Sequence, residues 1–283
     1  MSFLGQTKLR SMSRRHEAAL MEAFETHRSG QKLTRLDLAL LKPNQTAAMG
    51  AMNRASRVLW GKALCQMLSE RFRYCEKSET HVGNVYLVTL ADIRCATQVS
   101  STDISMALIK RRLRLGLRGV SYIGMIEPAF YVNLQAGVRF TGKRCLYWHI
   151  HALVWGVKPK EIKELVHKMN SGQYLGIAAG LNGAHRKKVR QGDLPRVVGY
   201  ILKPPMNGYR VSRHDIEQDG MPLIDEFGEI QAKFIQGKAK LRPGQRVELF
   251  HVMKNMRLDE LCIAGGQGVP MLARAKRCLS KNR

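Results

Sequence analysis

Apolar residues recur at helical spacing through the first eighty positions. From Ser11 to Thr26 (SMSRRHEAALMEAFET) the pattern predicts an amphipathic helix. Pro43 and Asn44 interrupt the next apolar stretch. Ala51 to Tyr74 then places Met52, Ala55, Val58, Leu59, Ala63, Met67 and Leu68 near one face, with Arg54, Arg57, Lys62, Arg71 and Arg73 elsewhere. The texture changes near Val82. VYLVTLA, between Asn84 and Asp92, is rich in β-branched and aromatic residues and predicts a buried strand. Ser101, Thr102 and Asp103 offer a cap for a helix over ISMALIKRRLRLGL that ends toward Gly119. A second strand is predicted over Val120–Glu127, stopped by Pro128, and FYVNLQ and CLYWHIHALVWG predict a further pair. Pro159 suits the first turn of a helix that runs to about Asn170 and Gly172. AHRKKVR (184–190) predicts another strand. A short helix is expected after Asp193, with Pro195 in its first turn and Pro204 and Pro205 as its stop. The last 60 residues show little pattern beyond a helix over 246–258. The fold class expected is α+β, with a basic helical region over 1–80, a mixed core over 81–215 and a basic C-terminal region over 216–283.

Composition adds one departure from the ordinary. The chain of 283 residues has 47 Lys and Arg against 22 Asp and Glu, a net charge of +25. The surplus is broad: +7 over residues 1–80 and +9 over residues 231–283. It points to a polyanionic partner, nucleic acid first and anionic lipid second. No run of 18 apolar residues exists, so no membrane span is expected. MSFLGQTKLRSMSRR lacks the apolar core of a secretory signal. Six cysteines at 65, 75, 95, 145, 262 and 278 form no CxxC pair, which reads as free thiols in a reducing cytosol. Gly265-Gly266-Gln267-Gly268 reads as a plain loop, and no GxxxxGK[ST] phosphate loop is present.

Candidate chemistry concentrates in Tyr147-Trp148-His149-Ile150-His151-Ala152-Leu153-Val154-Trp155. On a strand, side chains at i and i+2 share a face, so His149 and His151 project together while Ile150 enters the core. Two imidazoles on rigid backbone make a bidentate metal cradle; the plainer alternative is a stacked pair on a half-exposed strand. Glu127 ends the preceding strand and would face the histidines if the two strands are neighbours. The set would then be His, His and Glu with positions open for a phosphate oxygen. In Gly199-Tyr200-Ile201-Leu202-Lys203, a tyrosine and a lysine three apart share a helix face. A nearby cation favours the phenolate of a tyrosine whose free pKa is about 10.

Together these residues resemble the HUH endonucleases, in particular their rolling-circle replication initiators. VYLVTLAD (Val85–Asp92) matches the first motif, His149-Ile150-His151 the second and Tyr200 to Lys203 the third, in the family's order. The resemblance covers roughly residues 82–205. It implies an antiparallel sheet with helices on its sides, His149, His151 and Glu127 as ligands of Mg²⁺ or Mn²⁺, and Tyr200 as the nucleophile with Lys203 beside it. It further implies site-specific nicking of single-stranded DNA through a 5′-phosphotyrosine link. Position 196 is Arg and position 204 is Pro, so the enzyme would be of the single-tyrosine type, with Tyr209 as reserve nucleophile. Pro204 pushes Lys203 away from α geometry. Lys110, Arg111, Arg112 and Arg114, and Arg186, Lys187 and Lys188, are candidates for DNA contacts, and a solvated helix face is the alternative for the first group. Expected partners are single-stranded DNA, an origin hairpin or duplex, and a host helicase and polymerase, in the cytoplasm of a bacterium carrying a plasmid or phage. A transposase or mobilisation relaxase of the same superfamily, and a non-enzymatic basic nucleic-acid-binding protein, are the other readings.

Overall fold

The computed structural model describes residues 4–28, 33–77, 84–101, 104–132, 134, 144–190 and 193–281. Its elements are α1 (Leu4–Thr26), α2 (Arg35–Ala39), α3 (Arg54–Lys77), β1 (Val85–Gln98), α4 (Met106–Gly116), β2 (Ser121–Tyr131), β3 (Cys145–Trp155), α5 (Pro159–Lys168), β4 (Ala184–Val189), α6 (Leu194–Ile201), β5 (Asn207–Asp215), β6 (Glu217–Gln218), β7 (Met221–Pro222), β8 (Ala232–Lys240), α7 (Pro243–Met253), α8 (Leu258–Leu261), β9 (Cys262–Gly265) and α9 (Gly268–Lys281). The fold is mixed α+β, as expected.

The main sheet runs β4-β1-β3-β2-β5-β8, with β9 also on β2. Pairing is antiparallel throughout except for a short parallel contact of β2 with β5 at Phe130 and Tyr131. β3 lies at the centre and every one of its residues is buried. That burial explains its sequence: a strand covered on both faces reads as a nearly continuous apolar run, and only function or pairing puts histidines in it. One face carries Leu90, Ile126, Trp148, Ile150 and Val154, all buried. α4 packs on this face: its Gly116 lies against the Leu90 side chain, and Ile109 and Leu113 are buried beneath it. The opposite face carries the histidines and is covered by α3 and α6. Phe72 of α3 meets Trp155 edge-on, with ring centroids 6.0 Å apart. α1 lies across α3, α6 and α7.

Several elements differ from the sequence-based expectation. β1 runs past Asp92 to Gln98, because the register with β3 shifts between Ala91 and Ala96 and pairing then resumes. The buried Asp92 at that irregularity is held by Arg94 and Arg112, so a charge inside the strand did not end it. Pro128 lies within β2 rather than ending it. The outer side of β2 is paired at Tyr122–Met125 by β9 and at Phe130–Tyr131 by β5, which leaves a gap at Pro128 where a proline is tolerated. Phe130 and Tyr131 of FYVNLQ therefore close β2, while Asn133 and Gln135 lie outside the described residues. α4 is capped by the Ser105 side chain, which accepts from the Leu108 N–H; Thr102 and Asp103 lie outside the described residues. The poorly patterned C-terminal region supplies β8, which pairs with β5 from the end of the core, and then α7, α8, β9 and α9. Gly265 to Gly268 form the turn from β9 into α9, with Gly266 at a φ of +53°. Cys65, Cys95, Cys145, Cys262 and Cys278 are free thiols. No helix among the described residues is long and apolar enough to cross a membrane.

Candidate metal centre and tyrosine site

Register assembles the site. Glu127 of β2 stands directly opposite His149 of β3, and Met125 opposite His151. Directly opposed residues share a face, so the carboxylate and both imidazoles meet. Glu127 Oε1 lies 3.2 Å from His149 Nε2 and 3.0 Å from His151 Nε2, and the two Nε2 atoms are 3.2 Å apart. One ligand atom from each of the three residues lies within 4.8 Å of the others, so the buried cluster could hold a divalent metal.

The outer contacts support that reading. Tyr147 O lies 3.2 Å from His149 Nδ1. A carbonyl only accepts, so His149 Nδ1 is the donor in that contact and the ring is fixed with Nε2 toward the Glu127 carboxylate. The Thr89 hydroxyl sits 2.8 Å from His151 Nδ1 and fixes that ring as well. Glu127 Oε2 is buried without a hydrogen-bond partner, a second free ligand position on the same carboxylate. Burial on its own would raise the Glu127 carboxyl, but the Lys203 ammonium and the His149 and His151 rings hold it well below the usual carboxylate range. Burial lowers His151 to about 4 against the opposing pull of Glu127, so the ring is neutral at pH 7.

The third motif converges on the same point. α6 begins with Pro195 in its first turn and ends at Ile201. Leu202 lies outside α geometry at the helix end, and the Lys203 N–H closes the turn on Tyr200 O at 3.2 Å. Lys203 Nζ donates to Glu127 Oε1 and lies 4.4 Å from the Tyr200 ring centre. The Tyr200 ring is 4.9 Å from the His151 ring and 41% exposed. Tyr209 differs: it stacks on Tyr131 at 5.3 Å, and burial pushes its phenol up to about 12.

Sequence reasoning missed the residue that holds this motif in place. Arg57 of α3 is 4% exposed, yet among the described residues it forms no ion pair with a carboxylate. Its Nη1 donates to Leu202 O at 2.8 Å and Lys203 O at 3.3 Å, and its Nη2 to Ala51 O. It thereby satisfies orphan carbonyls at the end of α6 and fixes the backbone that carries Lys203. Burial lowers its pKa to about 10, which leaves it charged. In the sequence Arg57 is one basic residue among five on a helix, with no signal to separate it from the rest.

The basic candidates divide. His185, Lys187 and Val189 of β4 pair with Thr89, Leu87 and Val85 of β1 and so share the histidine face. Lys187, Lys188, Arg196 and Lys8 line a groove of about 350 Å³ that ends at Tyr200, and Arg186 is exposed on the same strand. Lys110, Arg111, Arg112 and Arg114 instead lie on α4, behind the sheet. Arg112 is engaged there with Asp92 at 2.6 Å and with the Tyr174 ring at 4.3 Å. No family model matches the chain, and no curated protein or solved structure matches it.

Proposed function

We propose that this chain is a metal-dependent, site-specific single-strand DNA endonuclease and strand transferase of the HUH type, acting as initiator of rolling-circle replication of a plasmid or phage. One observation carries the reading: the tyrosine, the lysine and the Glu-His-His cluster meet at one point, although they come from β2, β3 and α6. Mg²⁺ or Mn²⁺ held by His149, His151 and Glu127 would polarise a non-bridging oxygen of the scissile phosphate and offset its developing charge. The Tyr200 Oη attacks phosphorus in line, and the bond from phosphorus to the 3′ oxygen breaks. The products are a 5′-phosphotyrosine and a free 3′-hydroxyl, which takes up a proton in place of the one the phenol loses. The Lys203 ammonium, 4.4 Å from the Tyr200 ring centre, offsets the negative charge that builds on the reacting phosphate. Reversal by another 3′-hydroxyl rejoins the strand. The exposed ring of Tyr200 is open to a strand whose phosphates follow the groove of Lys187, Lys188 and Arg196. In this reading a host helicase and polymerase carry out unwinding and synthesis from the free 3′-hydroxyl.

The test is incubation with labelled single-stranded oligonucleotides drawn from the neighbouring DNA, in Mg²⁺ or Mn²⁺. A covalent protein–DNA band is expected, mapping by mass spectrometry to the peptide between Arg196 and Lys203. Tyr200→Phe keeps the ring and is expected to bind DNA and metal but form no adduct, whereas Tyr209→Phe behaves as wild type. His149→Ala with His151→Ala is expected to lose Mn²⁺ binding and cleavage while keeping its far-UV circular dichroism. An adduct on Tyr209 would overturn the nucleophile. A gel shift with intact DNA under every metal condition would make the chain a binding protein instead.

A further inference from the structure

The end of the β5–β8 hairpin is unlike the rest of the chain. Residues 216–231 hold Glu217, Asp219, Asp225, Glu226 and Glu229 and no Lys, Arg or His, a local charge of −5 in a chain of +25. The same stretch exposes Met221, Ile224, Ile230 and Phe227, the last at 82%. Its shape is built rather than incidental. Ile216 N donates to Gln231 O at 2.8 Å, Leu223 N to Ile216 O at 2.8 Å and Gln231 N to Leu223 O at 2.7 Å. The Asp225 carboxylate accepts from the N–H groups of Phe227 and Glu229, both at 2.9 Å, and so presents the Phe227 ring at the turn. Apolar groups held outward in this way dock at low ordering cost. Clustered exposed apolar groups with a polar rim mark a protein-docking surface, and the acidic rim repels nucleic acid.

A surface of the complementary kind lies on the same chain. α1 and α3 enclose a groove of about 740 Å³ with a floor of Ala55, Val58 and Leu59 and a rim that includes Arg10, Arg14 and Lys62. We propose that the acidic, apolar tip of one copy docks in the cationic, apolar-floored groove of a second copy. Tip and groove are different surfaces, so the contact is heterologous: two copies either exchange tips reciprocally or leave one tip and one groove for further copies. The contact joins opposite charges at the surface and weakens with salt. It does not depend on the metal centre or on nuclease activity.

The test uses the full chain without DNA, with molar mass read by light scattering at low and high salt. Two variants alter exposed positions only: Glu226→Lys with Phe227→Ser at the tip, and Arg10→Glu with Arg14→Glu in the groove. Wild type is expected above monomer mass at low salt and at monomer mass at high salt. Each variant alone is expected to be a monomer with unchanged far-UV circular dichroism. An equimolar mixture of the two is expected to associate again as a one-to-one species, because one intact tip and one intact groove remain. Monomeric wild type at low salt, a variant that keeps the wild-type mass, or a mixture that stays monomeric would overturn the proposal. If wild type is monomeric and the groove variant loses affinity for a single-stranded oligonucleotide, the groove belongs to nucleic acid.

Discussion

Lys203 holds the same carboxylate oxygen that a metal would need. Its ammonium is bonded to Glu127 Oε1, the atom shared by both histidines. Two cations competing at one oxygen repel, by about 8 kcal/mol for an ammonium and a divalent ion 4 Å apart at an effective dielectric constant of about 20. Lys203→Met, which keeps the aliphatic stem, is therefore expected to tighten Mn²⁺ binding by roughly tenfold or more while the yield of covalent adduct falls. Titration followed by electron paramagnetic resonance checks the first, and the labelled oligonucleotide the second. Weaker Mn²⁺ binding in this variant would show that Lys203 supports the cluster rather than opposing a metal there. Thr89 works in the other direction. Its hydroxyl, 2.8 Å from His151 Nδ1, orients a ligand from outside the cluster. Thr89→Val preserves shape and is expected to weaken Mn²⁺ binding by about 10- to 100-fold without loss of fold.

At the scale of elements, the helical N-terminal region is joined to the site by buried polar contacts as well as apolar ones. α3 reaches the end of α6 through Arg57, and α1 covers both. His16 of α1 is buried in this layer. Burial first, then the charges of Arg57 and Arg246, lower its pKa from 6.5 to about 3. The folded protein thus keeps His16 neutral where the unfolded chain protonates it. The lowered folded value means stability is complete above pH 6.5 and declines as pH falls from 6.5 toward 3, by about 1.4 kcal/mol per pH unit from this residue. His16→Leu is expected to flatten that decline, with urea midpoints at pH 7 and pH 5 closer together than in wild type. An unchanged spacing of the midpoints would place His16 in contact with water.

For the whole molecule, the charge of +25 acts through its placement. Four cations, Lys8, Lys187, Lys188 and Arg196, border the groove that ends at Tyr200. If a single strand runs there and each neutralises one phosphate, log K against log salt has a slope of about −3, at roughly 0.7 per contact. Lys187→Gln with Lys188→Gln is expected to reduce that slope by about 1.4, whatever the sequence of the oligonucleotide. By contrast, Lys110→Gln with Arg111→Gln on α4 is expected to leave it nearly unchanged, because α4 packs on the face away from the histidines.

Much of the site was legible in the chain because it rests on local periodicity. His149 and His151 share a face of any strand, and Tyr200 and Lys203 stay together across a helical turn. Glu127 was a candidate only on the condition that its strand neighboured the histidines; the β2–β3 register met that condition. Other features depend on partners far apart in sequence. Arg57 acts on carbonyls 145 and 146 residues away. Arg112 belongs to Asp92 across the sheet, and Pro128 stays inside β2 because two other strands leave it a gap. Such pairings follow from which strands and helices the whole core brings together, and only the tertiary structure decides that, because periodicity specifies a residue's face and never what lies opposite it.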